Sequence, residues 1–497
     1  MTDIINQLEF GRIADMLRYN PAEPLLFNTG LFLLLFAGFM AVYQLLRRRN
    51  TPKMLFTIAF SLYFYYKSSA ECCYILLGVC LNDFLSGLLM GRLRSDLWRR
   101  LLVAYVVSAD VALLVFFKYF NLLAGLFTEI TSTRFDALDI ILPAGISFFT
   151  FRSISYIVDL YRRHMEPERN LLHYTFCLTF FPPLLAGPVV RARDFLPQIK
   201  ENPTATTQMT AEGLFLIMTG LIKKVIIADY ISGNFVDRIF DNPSLYSGFE
   251  CLMGCVGFTV QLYCDFSGYS DMAIGLALLM GYRFKENFRA PFKAQNPQDF
   301  WRRWHISLST WLRDYLYIPL GGSRRGRART YINNILTMLI GGLWHGAGWM
   351  YLLWGAYHGV LLAGHKALKG VWRLPEMLRG TLVVQGANIL VTFTLVVAGF
   401  AIFRAPSLET LGALGTQIFT AFHPDVAAQF VAGYALITAA IAGALCMHFA
   451  PARWTAGATS AFAAMPVVAQ SLLLAAVLFL VIQTRSSDLV PFIYLQY

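Results

Sequence analysis

Long apolar runs recur along most of this chain, and they constrain its fold more than any other feature. Each run is long enough to cross the hydrocarbon core of a bilayer, and we count about eleven or twelve of them. Hydrophobic residues make up 57% of the 497 residues and charged residues only 14%, so no water-soluble core could bury this apolar surface. The clearest runs span residues 25–46, 101–127, 140–161, 387–403, 426–449 and 464–482.

These spanning segments are predicted to be helices. A helix pairs every backbone amide within its own segment, as hydrocarbon requires, and the alternating pattern of barrel strands is missing. We therefore predict an all-α integral membrane protein with about 11–12 transmembrane helices. No internal repeat or low-complexity linker divides the sequence, so we expect an N-terminal segment 1–24 and one membrane domain over residues 25–497.

The formal net charge of +11 does not indicate a nucleic-acid partner. Basic residues gather in short loops beside the apolar runs, as the positive-inside rule predicts, and no aromatic and basic nucleic-acid motif is present. The expected partner is therefore the lipid bilayer. The eight cysteines lie in apolar stretches without the spacing of metal ligands, so we expect neither a metal site nor a bound cofactor.

The stretch from Gly281 to Arg329 differs from the rest of the chain. It is rich in Arg and Lys, interleaved with Trp301, Trp304 and Trp311, and is too charged to span lipid as an ordinary helix. We predict that it lies at the cytoplasmic interface or lines a polar cavity.

Two histidines, His305 and His345, each follow a tryptophan. His345 lies in the apolar stretch 335–353, where an ionisable side chain is costly and is by default a functional hypothesis. The alternative is a structural histidine satisfied by a neighbouring helix. The glycines around His345 would let a backbone or a substrate approach closely. His305 could bind an acyl carbonyl or hold a hydroxyl, and its alternative role is that of a snorkelling interfacial residue.

Helical spacing relates these histidines to other residues. At about 100° per residue, Arg302 and Ser309 share a face with His305, which predicts a polar stripe. His358 follows His345 by thirteen residues, which on one continuous helix would place it about 20 Å away and on another face. We therefore predict a structural role for His358.

Seven further motifs stand out in the sequence: Leu142–Phe151, Ala186–Arg191, Gly220–Lys224, Gln261–Gly275, Phe300–Gly322, Gly342–Ala347 and Pro491–Tyr497. Together they resemble the membrane-bound O-acyltransferase (MBOAT) family, in the bacterial branch typified by alginate O-acetylation proteins. The resemblance extends from about residue 25 to the end of the chain. Three features depart from the pattern: Arg152 and Pro183 stand where relatives often have Gln, and the terminus reads Tyr-Leu-Gln-Tyr rather than Tyr-Phe-Gln-Phe.

The resemblance implies a ring of helices around a central tunnel, with a catalytic core at about residues 140–400. A cytoplasmic acyl thioester, acetyl-CoA or an acyl carrier protein, would be the donor substrate. A polysaccharide would be the acceptor, served by an extracytoplasmic SGNH-type acetyltransferase. The family's invariant histidine corresponds to His345, which we assign as general base, and a second polar position corresponds to His305, which would orient the acyl carbonyl or share the proton.

Further residues are candidates for donor binding or acyl relay. The basic segment suits an anionic donor, and the donor-binding candidates are Arg302, Ser309, Arg313, Arg324, Arg325 and Arg327. The C-terminal tail motif, residues 489–497, is apolar and aromatic, so exposing it would be wasteful unless it docks. By resemblance, Tyr494 would relay the acyl group to an external transferase; the alternative is an aromatic anchor at the membrane interface.

The predicted function is transfer of an acyl group, in particular acetyl, across the bacterial cytoplasmic membrane for O-acylation of a cell-envelope or secreted polysaccharide. An enzymatic alternative is D-alanyl transfer to teichoic acid. A non-enzymatic alternative is a lipid or polysaccharide translocator, which would leave the paired Trp-His motifs without a reason.

Overall fold

The computed structural model of the protein describes residues 15–132, 135–371, 380–484 and 492–493. Within these ranges the chain forms helices, turns and loops and contains no strand, so the predicted all-α fold is confirmed. Two compact units are present: unit 1 is Met1–Ala186 with Val190–Thr204, and unit 2 is Gly187–Val189 with Ala205–Tyr497. The single membrane domain over residues 25–497, the ring and its tunnel stay predictions.

Unit 1 is built from eight helices, counted over its described residues. A 3-10 turn, Ala70–Cys72, separates the second from the third, and a π-helical turn, Val115–Tyr119, joins the fourth to the fifth. The helices are α1 Gly30–Leu45, α2 Asn50–Ser69, α3 Cys73–Arg92, α4 Asp96–Leu114, α5 Phe120–Thr131, α6 Ile146–Tyr161, α7 Leu171–Thr179 and α8 Ala192–Glu201.

Aromatic rings form the core of unit 1 around Phe181, which is fully buried. Phe39 and Phe60 meet its ring edge to face, with centroids 5.7 and 5.1 Å away. Two of the departures from the family pattern, Arg152 and Pro183, are in contact here, because the Arg152 guanidinium donates to the backbone oxygen of Pro183. Arg152 therefore fixes the backbone at the end of α7.

Four polar side chains hydrogen-bond to one another inside unit 1. The Ser153 hydroxyl lies 2.7 Å from Asp83 Oδ1 and 2.6 Å from Asp110 Oδ2, and Tyr174 donates to Asp83 Oδ2 at 2.7 Å. A hydroxyl has one proton and cannot donate to both carboxyls. One of the two carboxyl groups must therefore carry a proton, so this cluster is satisfied internally.

Unit 2 contains thirteen helices in its described residues, together with 3-10 turns Pro243–Leu245 and Pro291–Lys293 and π-helical turns Ile222–Asp229, Ser232–Val236 and Arg313–Tyr317. The helices are α9 Thr207–Leu221, α10 Asp237–Asp241, α11 Gly248–Leu279, α12 Pro297–Arg303, α13 Ile306–Leu312, α14 Arg327–His345, α15 Trp349–Val371, α16 Leu382–Arg404, α17 Leu408–Thr420, α18 Val426–Gly433, α19 Ala435–Phe449, α20 Ala452–Ala464 and α21 Val467–Thr484.

The 32-residue helix α11 is the centre of unit 2. It begins with a capping box, in which Ser247 and Glu250 satisfy each other's backbone amides. Glycines bring it against α9: a Cβ added at Gly220 would lie 2.6 Å from the backbone oxygen of Gly268, and one added at Gly275 would lie 2.6 Å from that of Gly213. Small residues thus let the two backbones touch, as in membrane helix pairs.

Several described helices are long and apolar enough to cross a bilayer, as a multi-pass membrane protein requires. Four continuous helical stretches qualify, or five when the bent pair α18 and α19, at 93°, counts as one span. The sequence predicted about eleven or twelve runs, but several are broken or short, and α1 and α6 have only 16 residues each. The four are Asn50–Arg92, Asp96–Thr131, Leu382–Arg404 and Val467–Thr484.

Candidate functional site

His305 is buried at a break between α12 and α13. Its backbone is left-handed, with φ 41°, and its side chain is 1% exposed. Nδ1 lies 3.1 Å from Asn287 Oδ1, and the Phe266 ring meets the imidazole edge to face with centroids 4.6 Å apart. A snorkelling side chain keeps its polar head in water, so this burial rules out the interfacial alternative.

The predicted helical stripe through Arg302, His305 and Ser309 is wrong, because no continuous helix joins them. The backbone amide of Ile306 donates to the carbonyl oxygen of Asn287 at 2.8 Å, instead of bonding one turn back along a helix. The loop that contains Asn287 therefore interrupts the helix at His305. Arg302 lies before this break and Ser309 after it.

His345 is the last residue of α14 and lies in an aromatic cage. Its imidazole is 6% exposed, and its centroid lies 5.0 Å from Trp354 and 5.2 Å from Phe403. The Trp344 indole lies 4.9 Å from the His345 ring and 6.3 Å from the His305 ring. The two histidines predicted as catalytic thus lie near the same indole, His345 at the end of α14 and His305 at the break between α12 and α13.

Close packing of α14 against α15 explains the glycines beside His345. A Cβ added at Gly342 would lie 2.2 Å from the backbone oxygen of Tyr351, and one added at Gly355 would lie 2.5 Å from that of Met338. The sequence left open whether a backbone or a substrate approaches these glycines. At Gly342 it is the backbone of α15, and this contact positions Trp354 against His345.

His358 is linked to His345 through Trp354, contrary to the argument from a continuous helix. The chain turns between His345 and Trp349, and α15 then packs back along α14. The Trp354 indole lies 4.9 Å from His358, as well as touching His345. His358 is 1% exposed, and its Nε2 has no hydrogen-bond partner among the described residues. This histidine is thus part of the same aromatic group.

A cavity of about 520 Å³ lies beside these helices within unit 2. Arg302, Ser309 and Arg313, all predicted to bind the donor, line it together. The Ser309 hydroxyl donates to the backbone oxygen of Trp304 at 3.1 Å, and Arg313 pairs with Asp314 at 2.8 Å. The remaining lining residues are Gln298, Trp301, Ile306, Thr310, Leu312, Tyr317, Asn334, Thr337, Met338, Leu362 and Lys366.

Lys366 is a lining residue that the sequence analysis missed. Its Nζ lies 3.3 Å from Asn334 Oδ1 and 3.4 Å from the Tyr317 hydroxyl, so the cavity has a cation on the α15 side as well. A lysine near the end of an apolar helix was an available signal. Asn287 was also missed, and nothing in its local sequence distinguished it from other loop residues.

The other three donor-binding candidates, Arg324, Arg325 and Arg327, are exposed to solvent. They lie between the π-helical turn Arg313–Tyr317 and the first turn of α14, and they are absent from the lining of the cavity. The structure therefore separates the six candidates into three that line the cavity and three that do not.

Two residues of the tail motif are described, and both are buried: Phe492 is 2% exposed and Ile493 is 7% exposed. The Ile493 amide donates to Asp265 Oδ2 at 3.0 Å, and Asp265 pairs with Lys224 at 2.6 Å. Lys224 Nζ also lies 4.7 Å from the Phe492 ring centroid. Tyr494, the proposed acyl relay, lies outside the described residues.

Comparison with known proteins gives matches over most of the chain. The MBOAT, membrane-bound O-acyltransferase family, model matches residues 169–402. A probable alginate O-acetylase of Pseudomonas aeruginosa is 41% identical over 403 residues, which cover 80% of this chain and 75% of that protein. A peptidoglycan O-acetyltransferase of Helicobacter pylori is 36% identical, with 78% of each chain covered. A teichoic acid D-alanyltransferase of Bacillus subtilis is 31% identical over 52% of this chain and 68% of its own length.

The first of these relatives exceeds 40% identity over three quarters of its length, and the family match contains both Trp-His motifs. With its helical membrane fold, this chain belongs to the membrane-bound O-acyltransferase family and is an acyltransferase.

Proposed function

We propose that this acyltransferase moves an acetyl group from a cytoplasmic thioester across the bacterial cytoplasmic membrane, for O-acetylation of a cell-envelope or secreted polysaccharide. The observation that carries the proposal is the joint placement in unit 2 of His305 and His345 on one indole, with a basic cavity on the neighbouring helices. A polysaccharide acceptor is supported by the relatives named for alginate and peptidoglycan O-acetylation.

The cavity suits a phosphate-bearing donor. Arg302, Arg313 and Lys366 provide positive charge on its wall, and Gln298 and Asn334 add neutral hydrogen-bonding groups. Its volume of about 520 Å³ is within the range of small-molecule sites. Acetyl-CoA and an acyl carrier protein present the same chemistry, a thioester on an arm that ends in a phosphate, and acetyl-CoA is the donor that we propose.

The reaction needs a base for a weakly nucleophilic hydroxyl. In our proposal His345 removes the hydroxyl proton, the oxygen bonds to the thioester carbon, the carbon–sulfur bond breaks, and the proton ends on the departing sulfur. A positioned base of this kind contributes about 10²–10⁴-fold to the rate. The tryptophans and Phe403 around His345 exclude water, which would otherwise hydrolyse the thioester.

The acetyl group must then reach a polymer outside the cell. We propose that Tyr494 accepts it and passes it to an extracytoplasmic SGNH-type acetyltransferase. Support comes from the burial of the two residues just before Tyr494 and from the hydrogen bond that the Ile493 amide makes to Asp265. A docked tail supplies a nucleophile at a fixed position, which raises its effective concentration.

The proposal is tested in sealed vesicles that contain the purified protein, with acetyl-labelled acetyl-CoA on the inner or the outer side. We expect label on the protein, or on an added polysaccharide when the partner transferase is present, only when acetyl-CoA faces the cytoplasmic side. Vesicles with His345→Ala are the matched control and should give no label. Transfer from a D-alanyl carrier protein but not from acetyl-CoA would favour teichoic acid D-alanylation instead, and movement of lipid without acyl transfer would favour a translocator.

A further inference from the structure

Asn287 is buried, with 1% of its surface exposed, and its polar groups bond to His305 and to two residues around it. Its side-chain oxygen lies 3.1 Å from His305 Nδ1, and its side-chain nitrogen donates to the Ser270 hydroxyl at 3.2 Å. Its backbone oxygen accepts from Ile306, the residue after His305. The imidazole and its backbone are thus both held by one residue that lies in a loop 18 positions upstream.

The orientation of the Asn287 amide follows from its other neighbour, Ser307. The backbone N–H of Ser307 lies 3.2 Å from Asn287 Oδ1, and a backbone N–H can only donate. The Ser307 hydroxyl, which accepts from the Val189 amide at 2.9 Å, donates to the same oxygen at 2.9 Å. A flipped amide would point its NH₂ group at these donors, so the atom facing His305 is the oxygen.

This orientation determines which nitrogen of His305 carries the proton. An amide oxygen only accepts, so the His305 Nδ1 that faces it must be the N–H nitrogen. In the neutral imidazole the other nitrogen, Nε2, then holds a lone pair. A lone pair cannot donate a hydrogen bond to an acyl carbonyl, which was one of the two roles open to His305.

We propose that Asn287 is a positioning residue that fixes His305 as the Nδ1–H tautomer, so that His305 acts on the substrates as a proton acceptor and not as a donor to the acyl carbonyl. This inference rests on the proposed function, in which His305 faces the reacting groups. His345 takes the proton that leaves the hydroxyl and passes it to His305, where Nε2 accepts it while Nδ1 keeps its own, and the proton returns to the sulfur as the carbon–sulfur bond breaks.

The tautomer is measured directly by solid-state ¹⁵N NMR of protein labelled at histidine nitrogen. The chain has eight histidines. Subtracting the spectrum of His305→Gln removes the signals of the other seven and leaves those of His305. We expect a protonated Nδ1 and an unprotonated Nε2 in the wild-type protein, and a mixture of tautomers in Asn287→Leu. An Nε2–H signal from wild-type His305 would overturn the inference, whatever the activity.

The rate–pH profile tests the consequence for the reaction. Asn287→Asp keeps an acceptor opposite Nδ1 but adds a negative charge, which stabilises the imidazolium. His305 then loses its proton only at higher pH, so the acid limb of kcat should move up by about one to three pH units. Asn287→Leu should lower kcat at every pH, and Asn333→Asp, another fully buried asparagine, should not move the limb.

The outcomes separate the inference from the function on which it rests. Suppose that the acid limb of kcat does not move in Asn287→Asp while His305→Ala is inactive. His305 would then belong to the site, but its role as proton acceptor would be overturned. Full activity of His305→Ala would remove His305 from the proposed mechanism, while the NMR result would still report its tautomer.

Discussion

The two compact units bury polar side chains in different ways. In unit 1, Asp83, Asp110, Ser153 and Tyr174 satisfy one another through short hydrogen bonds. In unit 2, buried histidines meet tryptophan rings, and a basic cavity lies on the adjacent helices. Polar groups that satisfy each other stabilise a fold, whereas polar groups on a cavity wall, such as those of Arg302 and Lys366, can bind a ligand. This difference is one reason why we propose that the chemistry takes place in unit 2.

The largest expected effect contrasts one residue from each unit. His345→Ala should lower acyl transfer by about 10²–10⁴-fold, because it removes the base without adding bulk. His305→Ala should be severely impaired but retain some activity. Asp110→Asn should keep close to the wild-type rate, because one carboxyl of its cluster is already neutral and an amide can replace it. The measurement is label transferred from acetyl-CoA per inserted protein.

The same variants test whether this contrast between unit 1 and unit 2 is correct. Equal loss in Asp110→Asn and His345→Ala, at equal membrane insertion, would mean that the unit 1 cluster takes part in the reaction. Near wild-type transfer by purified His345→Ala would refute the general-base assignment.

The tail of unit 2 gives the second prediction. Tyr494→Phe keeps the ring but deletes the hydroxyl, so the relay predicts loss of polymer acetylation at normal protein level. Tyr497→Phe makes the same change three residues later in the same tail and should leave acetylation intact. Acetylation is measured on the isolated polysaccharide. Full acetylation by Tyr494→Phe would leave only the aromatic anchor.

The helix pair that carries His345 gives a third, smaller effect. Gly342→Ala places a methyl group against the Tyr351 backbone oxygen, 2.2 Å away, and should destabilise the protein by about 1–3 kcal/mol. Gly364→Ala, on α15 with no atom within 4 Å of the added Cβ, should be neutral or stabilise by up to about 1 kcal/mol. Thermal unfolding in detergent distinguishes them, and equal melting temperatures would show that close approach at Gly342 is not needed.

Sequence alone predicted the class of protein well. Apolar runs identified a helical membrane protein, and the motifs around His305 and His345 identified its family. These signals are local, since each depends on residues within one helix length. The pairing of the two histidines on Trp344 was not predicted as a contact, although both had been chosen as site residues.

What the sequence did not predict depends on contacts between distant residues. The break at His305 is fixed by Asn287 through hydrogen bonds that no spacing rule reports, so the helical stripe with Arg302 and Ser309 was wrong. The turn after His345 brings α15 back along α14, so that Trp354 contacts both His345 and His358, although counting along one helix placed His358 on another face. Lys366 lines the cavity for the same reason, because it lies near the C-terminal end of α15, which packs back along α14.

The smallest expected effect concerns the donor and divides the six basic-segment candidates by whether they line the cavity. Arg324, Arg325 and Arg327 are surface residues, and salt screens their attraction for an anionic donor. Reversing all three charges should raise the KM for acetyl-CoA by a few-fold at low salt and hardly at all at high salt. An unchanged KM at low salt would mean that these arginines only follow the positive-inside rule.

Variants of the cavity residues test the same difference in donor binding from the other side. Arg302 and Arg313 are exposed too, but they line the same cavity as Lys366, where a bound donor would hydrogen-bond to them directly and keep salt ions out of the contact. Arg302→Gln with Arg313→Gln should therefore raise the KM for acetyl-CoA more than the triple reversal does, and the increase should persist at high salt. The Asp314 carboxylate beside Arg313 neutralises part of that charge, so Arg302→Gln alone should account for most of the increase. A KM that changes only in the Arg324, Arg325 and Arg327 variant would instead place donor recognition outside the cavity, as docking of a carrier protein would require.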